Sequence, residues 1–228
     1  SQGVTATDAA TAAEANTIDA ATTMGSSAVY SIEDTATLAA GANASALNNA
    51  VNITANTTAT IAEALTLNGA TNSGSTSYAI SGVSTTFTSA APATQALISA
   101  AVEAATGTVT ATGNTSFADA AVIAGLTKAV VFSVSDTEAN LANLDAGSLN
   151  EAVNVAVTKN ATALTTAQAA HFLAATNSGT TTLAEVSGTA SEVLAMGLTD
   201  NDVISNLVVT GNITAAQAVQ IATLGASA

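Results

Sequence analysis

The sequence predicts an α/β chain. The architecture expected is a right-handed α/β solenoid of about nine strand–turn–helix units with a stacked parallel sheet; all-β sandwich modules are the alternative. Three observations carry this. Short β-branched runs recur along the chain. Each is followed by a polar turn and then an Ala-rich stretch of helical spacing. One block of roughly fifty residues is echoed at an offset of a little over a hundred.

The units begin near residues 4, 28, 51, 77, 108, 129, 153, 181 and 203, so residues 1–228 read as a single repeat array. The first opens with "VTATDAATAAEANTI", a β-type run, a turn at Asp and a helical stretch. The second runs from Ala28 through "YSIEDTATLA", where Asp34-Thr35 supplies the turn and a helix cap. The third begins at Val51 with "AVNIT". The fourth, near Ser77, carries an inserted loop at about 83–93, supported by Pro92. The helix "TQALISAAVEAA" follows, with Ala96, Leu97, Ala100, Ala101 and Ala104 on one face. The fifth, "VTATGNTSFADAAVI", repeats the pattern of the first. The sixth, "AVVFSV", turns at Asp136-Thr137, and the seventh is "AVNVAV". The eighth starts near Thr181, and the ninth ends in "VVTGNITAAQAVQI".

A strand, a helix and a second strand of the same direction form a right-handed crossover. Strands stack about 4.8 Å apart and helices about 8–10 Å apart, so mild curvature is expected, with Ala reducing the mismatch. The Ala-rich helical stretches argue against sandwich modules.

The long echo starts from "ATNSG", which occurs at Ala70–Gly74 and at Ala175–Gly179. Upstream of it, Leu47, Asn48, Ala50, Val51 and Asn52 match Leu149, Asn150, Ala152, Val153 and Asn154. Further upstream, "YSIEDTATLA" lies over "FSVSDTEANLA". Gly74, Gly107 and Gly179 sit where a helix is expected to end and the chain to turn back. Asn52 and Asn154 hold equivalent places on matching strands, either satisfying turn backbone groups or forming a hydrogen-bonded ladder.

Composition removes several functions. Sixteen acidic residues face Lys128 and Lys159 alone, for a net charge of −14. Phosphate backbones need Lys and Arg, so nucleic acid is excluded as a partner. No stretch of about twenty apolar residues is available for membrane insertion. Cysteine is absent, so there are no disulfides and no thiolate metal sites. The start, "SQGV", has neither an initiator Met nor a signal pattern and reads as a piece of something larger.

Catalytic patterns are missing. His171 is the only histidine, on an apolar helical stretch, and no G-x-S-x-G elbow, P-loop or G-x-G-x-x-G turn accompanies it. The expectation is that the chain is not an enzyme. Calcium is the best ligand candidate, through hard oxygen ligands at Asp200, Asn201 and Asp202 in a turn and at Asp34 and Asp136 at strand-to-helix turns. Helix capping is the competing reading, and the EF-hand spacing is absent. T-x-T runs such as "TVTAT" bear a likeness to ice-binding rows, but the rows break at Ala28, Ala129 and Leu183.

The blocks "YSIEDTATLA", "AVNIT" and "ATNSG", with their second copies, resemble a repeat region of very large secreted cell-surface proteins of cyanobacteria and marine bacteria, of RTX-adhesin or surface-layer type. The calcium-binding nonapeptide of RTX proteins is absent. The resemblance implies an extracellular or cell-surface location. It also implies a structural role as rigid spacer, coat or filament, and partners that are copies of itself or neighbouring repeats. A surface-, glycan- or ice-binding module is the alternative, with a cell-surface glycan as partner.

Overall fold

In the computed structural model, residues 3–22, 28–159, 162–198 and 202–225 are described. The chain divides into two compact units, Ser1–Ala111 with Leu126–Val130, and Thr112–Gly125 with Val131–Ala228.

The first unit contains β1 (Val4–Thr5), α1 (Ala12–Thr22), β2 (Ala28–Val29), β3 (Ile32–Asp34), α2 (Ala36–Ala40), α3 (Ala44–Asn49) and β4 (Ile53–Ala59). It continues through α4 (Ile61–Asn68), β5 (Thr76–Val83), a 3-10 turn at Ser84–Thr86, α5 (Pro92–Ala104) and the start of β6 (Val109–Thr115). The second unit holds α6 (Phe117–Ala124), all but the first residue of β7 (Val130–Thr137), α7 (Glu138–Leu141), α8 (Ala146–Glu151), β8 (Val155–Thr158), β9 (Leu164–Thr165) and α9 (Thr166–Leu173). It ends with β10 (Thr181–Leu183), β11 (Val186–Thr189), α10 (Ala190–Leu194), β12 (Asp202–Ile204), β13 (Leu207–Thr210) and α11 (Ala215–Gly225).

The fold is α/β, with a parallel sheet of eight strands in the order β12-β10-β8-β7-β6-β5-β4-β3. Smaller parallel sheets, β13-β11-β9 and β1-β2, accompany it. All-β sandwich modules are thereby excluded. Strands of one direction need a crossover between them, and the Ala-rich helices supply it.

Local chemistry explains the alternation. In β7 the inward residues Val130, Phe132 and Val134 are buried and alternate with exposed Val131 and half-buried Ser133 and Ser135. A hydroxyl then starts several of the helices. Thr60, Thr165 and Thr189 accept from the N–H three residues on, and Glu63, Gln168 and Glu192 return the bond, closing three capping boxes. Helix α4 buries Ile61, Ala64 and Leu67 along one stripe.

Each unit has its own core. Tyr30, Ile32, Ile53, Leu67, Tyr78 and Phe87 fill the first, and Ile123, Phe132, Leu141, Leu149 and Phe172 the second. With so few large side chains, each phenol must be satisfied inside: Tyr30 donates to Ala46 O at 2.9 Å and Tyr78 to Ala101 O at 2.7 Å.

Helix α5 departs from the sequence reading. Its buried residues are Ile98, Ala101 and Val102, while Leu97 is 62% exposed. Alanine occurs all round this helix, so it does not choose a face. The larger Ile98 and Val102 do, because they gain more by burial.

Candidate functional site

Many polar side chains bond from one repeat to the next. The ATNSG stretches show how. Asn52 Oδ1 accepts from the Ser75 N–H at 2.9 Å and its hydroxyl at 3.1 Å. Asn154 Oδ1 does the same with Thr180, at 2.9 and 3.2 Å. Asn72 Nδ2 donates to Val51 O at 3.0 Å, and Asn177 Nδ2 to Val153 O at 3.1 Å. The Thr71 and Thr176 N–H groups donate to Asn48 Oδ1 and Asn150 Oδ1, at 2.9 and 2.7 Å. The two copies are therefore the same joint built twice.

Gly74 and Gly179 belong to this joint and do not cap helices. Helix α4 ends at Gly69 and α9 at Ala174, five residues earlier in each case. A Cβ on Gly74 would lie 2.6 Å from Val51 O and collide with Asn52 Oδ1. On Gly179 it would lie 2.6 Å from Val153 O and collide with Asn154 Oδ1. Close backbone approach, not a left-handed turn, is what demands glycine here. Positive φ among the described residues falls at Gly113, Gly197 and Gly211.

The acidic candidates are placed apart. Asp34 Oδ2 accepts from Ala12 N at 3.1 Å and Oδ1 from Thr35 N at 2.8 Å. Asp136 Oδ2 accepts from Phe117 N at 3.0 Å, and Oδ1 from Thr137 N and Asn140 Nδ2, each at 2.7 Å. Each carboxylate thus caps the helix of the preceding repeat, and Thr57 Oγ1 does the same for Ala36 N at 3.0 Å. Burial would raise the Asp136 carboxyl, but the bonds from Phe117, Asn140 and Thr137 outweigh it and hold it below the usual carboxylate range.

Oxygens committed to N–H donors do not fit a cation cage. Asp202 is buried at the start of β12, in register with Thr181, and not in an open turn. Asp200 and Asn201 lie outside the described residues. Among the described residues, no three His, Cys, Asp or Glu side chains converge.

Other contacts continue the pattern. The Thr37 hydroxyl donates to Glu63 Oε1 at 2.7 Å, and Gln168 Nε2 to Glu138 Oε1 at 2.8 Å. Lys159 pairs with Glu185 Oε1 at 2.8 Å, and Asn206 donates to Glu185 Oε2 at 2.7 Å, stacking three successive repeats. The Lys159 and Asn206 bonds hold the half-buried Glu185 carboxyl below its usual range. His171 lies on the exposed side of α9, edge-on to Phe172 with ring centroids 5.1 Å apart.

The sequence reading missed Thr57, Thr37 and the Lys159–Glu185–Asn206 stack. These partners stand 21 to 26 residues apart, and only the repeat period itself could have paired them.

A hollow of about 640 Å³ lies against the first repeat. The Thr5–Ala10 stretch forms one wall, and Ala13, Glu14, Thr17 and Ile18 of α1 form the other. No family model, curated protein or solved structure matches this chain. No helix among the described residues is long and apolar enough to cross a membrane.

Proposed function

We propose that the chain is a structural segment of an extracellular repeat protein, of surface-layer, filament or adhesin type. Its nine repeats form one right-handed α/β solenoid that serves as a stiff spacer or coat and associates with copies of itself. The observation that carries this reading is the use of polar side chains. Asn52, Asn154, Asp34, Asp136, Thr57 and Glu63 all bond to neighbouring repeats, which is what a quasi-one-dimensional array requires.

The half-exposed faces support a spacer over a glycan- or ice-binding surface. Register rows there carry Glu33–Thr54–Ser77 and Ser135–Ala156–Thr182, a mixture without aromatic residues. Both tyrosines, which could stack on a sugar, are buried at 2% exposure. A net charge of −14 keeps laterally adjacent chains apart and makes their spacing sensitive to salt and divalent cations.

Small-angle scattering with and without millimolar calcium tests the reading. An elongated particle is expected, its length set by the stacked repeats. A compact globule indifferent to calcium would overturn it.

A further inference from the structure

We propose that the insertion in the fourth repeat, Val83–Leu97, forms with α4 a contact surface for a second copy, giving a two-fold dimer. This rests on the reading of the chain as a self-associating segment and names the place where copies touch.

The fourth and eighth repeats both follow an ATNSG joint, with strands starting at Thr76 and Thr181. The eighth leads to a helix of five residues, α10. The fourth adds the loop at 83–93 and a helix of thirteen residues, α5. The added part is tied down. Phe87 is fully buried, and the Thr86 hydroxyl donates to Val83 O at 2.7 Å. Gln95 Oε1 accepts from the Ser89 N–H at 2.7 Å, and its Nε2 donates to Phe87 O at 3.2 Å. Yet α5 meets the core only from Ile98 onwards, and none of Pro92–Leu97 is buried. An ordered insertion that turns apolar side chains outward serves a contact and not the core.

The patch has a projection and a hollow. Val83 is 55% exposed and Leu97 62%. A hollow of about 380 Å³ is lined by Ile61, Ala62 and Leu65 of α4 and by Gly82, Val83 and Thr86. A cavity of about 150 Å³ takes up a benzene-sized guest, so this one has room for a leucine side chain. Leu97 stands on α5, the helix packed beside α4. A projecting side chain and a hollow on adjacent helices are what a two-fold contact needs, each copy filling the other's hollow.

Charge selects the partner. Copies that each carry −14 repel one another wherever acidic residues face. Between Asp34 and Glu103 the only charged residue is Glu63, and its carboxylate already accepts from Thr37 and Thr60. This neutral stretch contains the whole patch, together with the exposed Leu38 of α2, which also packs against α4. Two such chains can meet there without a like-charge cost. Strand β5 is already paired on both sides, with β4 and β6, so the patch opens along the flank. Repeats added before or after the chain leave it open.

Sedimentation velocity over a concentration series up to about 1 mM, the weak end of specific association, tests the contact. A reversible dimer is expected. Added salt should tighten it, because screening removes the background repulsion and leaves the apolar contact. Leu97→Asp and Val83→Asp, both at exposed positions, should each weaken it roughly thirtyfold or more, as loss of a central anchor does. Val219→Asp, at a side chain 66% exposed on α11, should leave it unchanged. Thermal melting confirms that each variant is folded. The chain has no cysteine, so a 1:1 mixture of Leu97→Cys and Val83→Cys should cross-link faster under oxidation than either variant alone.

A wild-type chain that stays monomeric, or a dimer indifferent to Leu97 and Val83, overturns the proposal. Monomers that bind zwitterionic lipid vesicles through Leu97 would overturn it too, and assign the patch to a lipid surface. Small-angle scattering separates this from failure of the broader reading. An elongated particle that stays monomeric removes only the flank contact. A compact chain that dimerises through Leu97 keeps the contact and removes the spacer.

Discussion

Gly74 and Asn52, twenty-two residues apart, occupy adjoining space so closely that any β-carbon on the glycine would overlap the asparagine side-chain oxygen. That oxygen is already bonded to the Ser75 N–H at 2.9 Å, so it cannot withdraw without losing the bond. Gly179 and Asn154 repeat the arrangement with Thr180.

Gly74→Ala and Gly179→Ala should therefore each destabilise the protein by roughly 1–3 kcal/mol, as overpacking against fixed atoms does. Asn52→Ala leaves the Ser75 N–H without its acceptor and should cost about 1 kcal/mol. The double variant Asn52→Ala with Gly74→Ala should cost less than the sum, because removing the asparagine side chain relieves part of the clash. Additive losses in urea unfolding would disprove the interlock.

Thr115 gives a prediction of opposite sign. Its Oγ1 is buried at the end of β6 with no partner among the described residues. Valine has nearly the same shape and suits a strand. Thr115→Val should raise stability by about 0.5–1.5 kcal/mol by removing an unsatisfied hydroxyl. A loss on thermal melting would mean that the hydroxyl is bonded.

The two tyrosines report on the core by alkaline titration. Burial pushes the Tyr30 phenol up to about 12, with the Asp19 charge beside it adding to the effect. Burial alone pushes Tyr78 up to about 12. With no tryptophan to interfere, tyrosinate absorbance should stay flat through pH 10, the ordinary phenol value. A raised folded pKa means stability is intact below about pH 10 and is lost as pH climbs towards 12. A titration step at pH 10 in the folded protein would contradict the burial of both rings.

Acid should weaken the fold through Asp136. Its folded carboxyl is held below the ordinary value of 3.8, so stability is present above that value and falls as pH drops through it. Glu63 acts in the same direction: burial opposes its ionisation, but bonds from Thr60 and Thr37 prevail. Thermal melts from pH 7 to pH 2 should steepen below about pH 4. Asp136→Ala should cost about 1 kcal/mol at pH 7, as loss of a helix cap does. Asp136→Asn should flatten the acid limb. Identical pH profiles for Asp136→Asn and wild type would remove Asp136 as a contributor.

The sequence by itself determined the α/β alternation and the parallel sheet. Those signals are local: β-branched runs such as "AVVFSV" prefer strands, Thr60 with Glu63 closes a helix start within four residues, and Ala-rich stretches continue it. The echo of ATNSG was equally legible, because a joint built twice repeats its residues in order. Only the tertiary structure decided what each residue in the joint bonds to. Asp34 and Asp136 read as caps or ligands at their own turns, yet their carboxylates reach a helix about twenty residues back. Gly74 read as a helix end, yet its constraint comes from Asn52 in the neighbouring repeat. Helix α5, alanine on every side, buries the face that carries Ile98 and Val102, the larger side chains, and leaves Leu97 exposed. The physical reason is common to all three. A local preference is written in adjacent residues, whereas a contact between repeats depends on register, and a composition of Ala, Thr, Ser and Asn carries little information about register until the strands are paired.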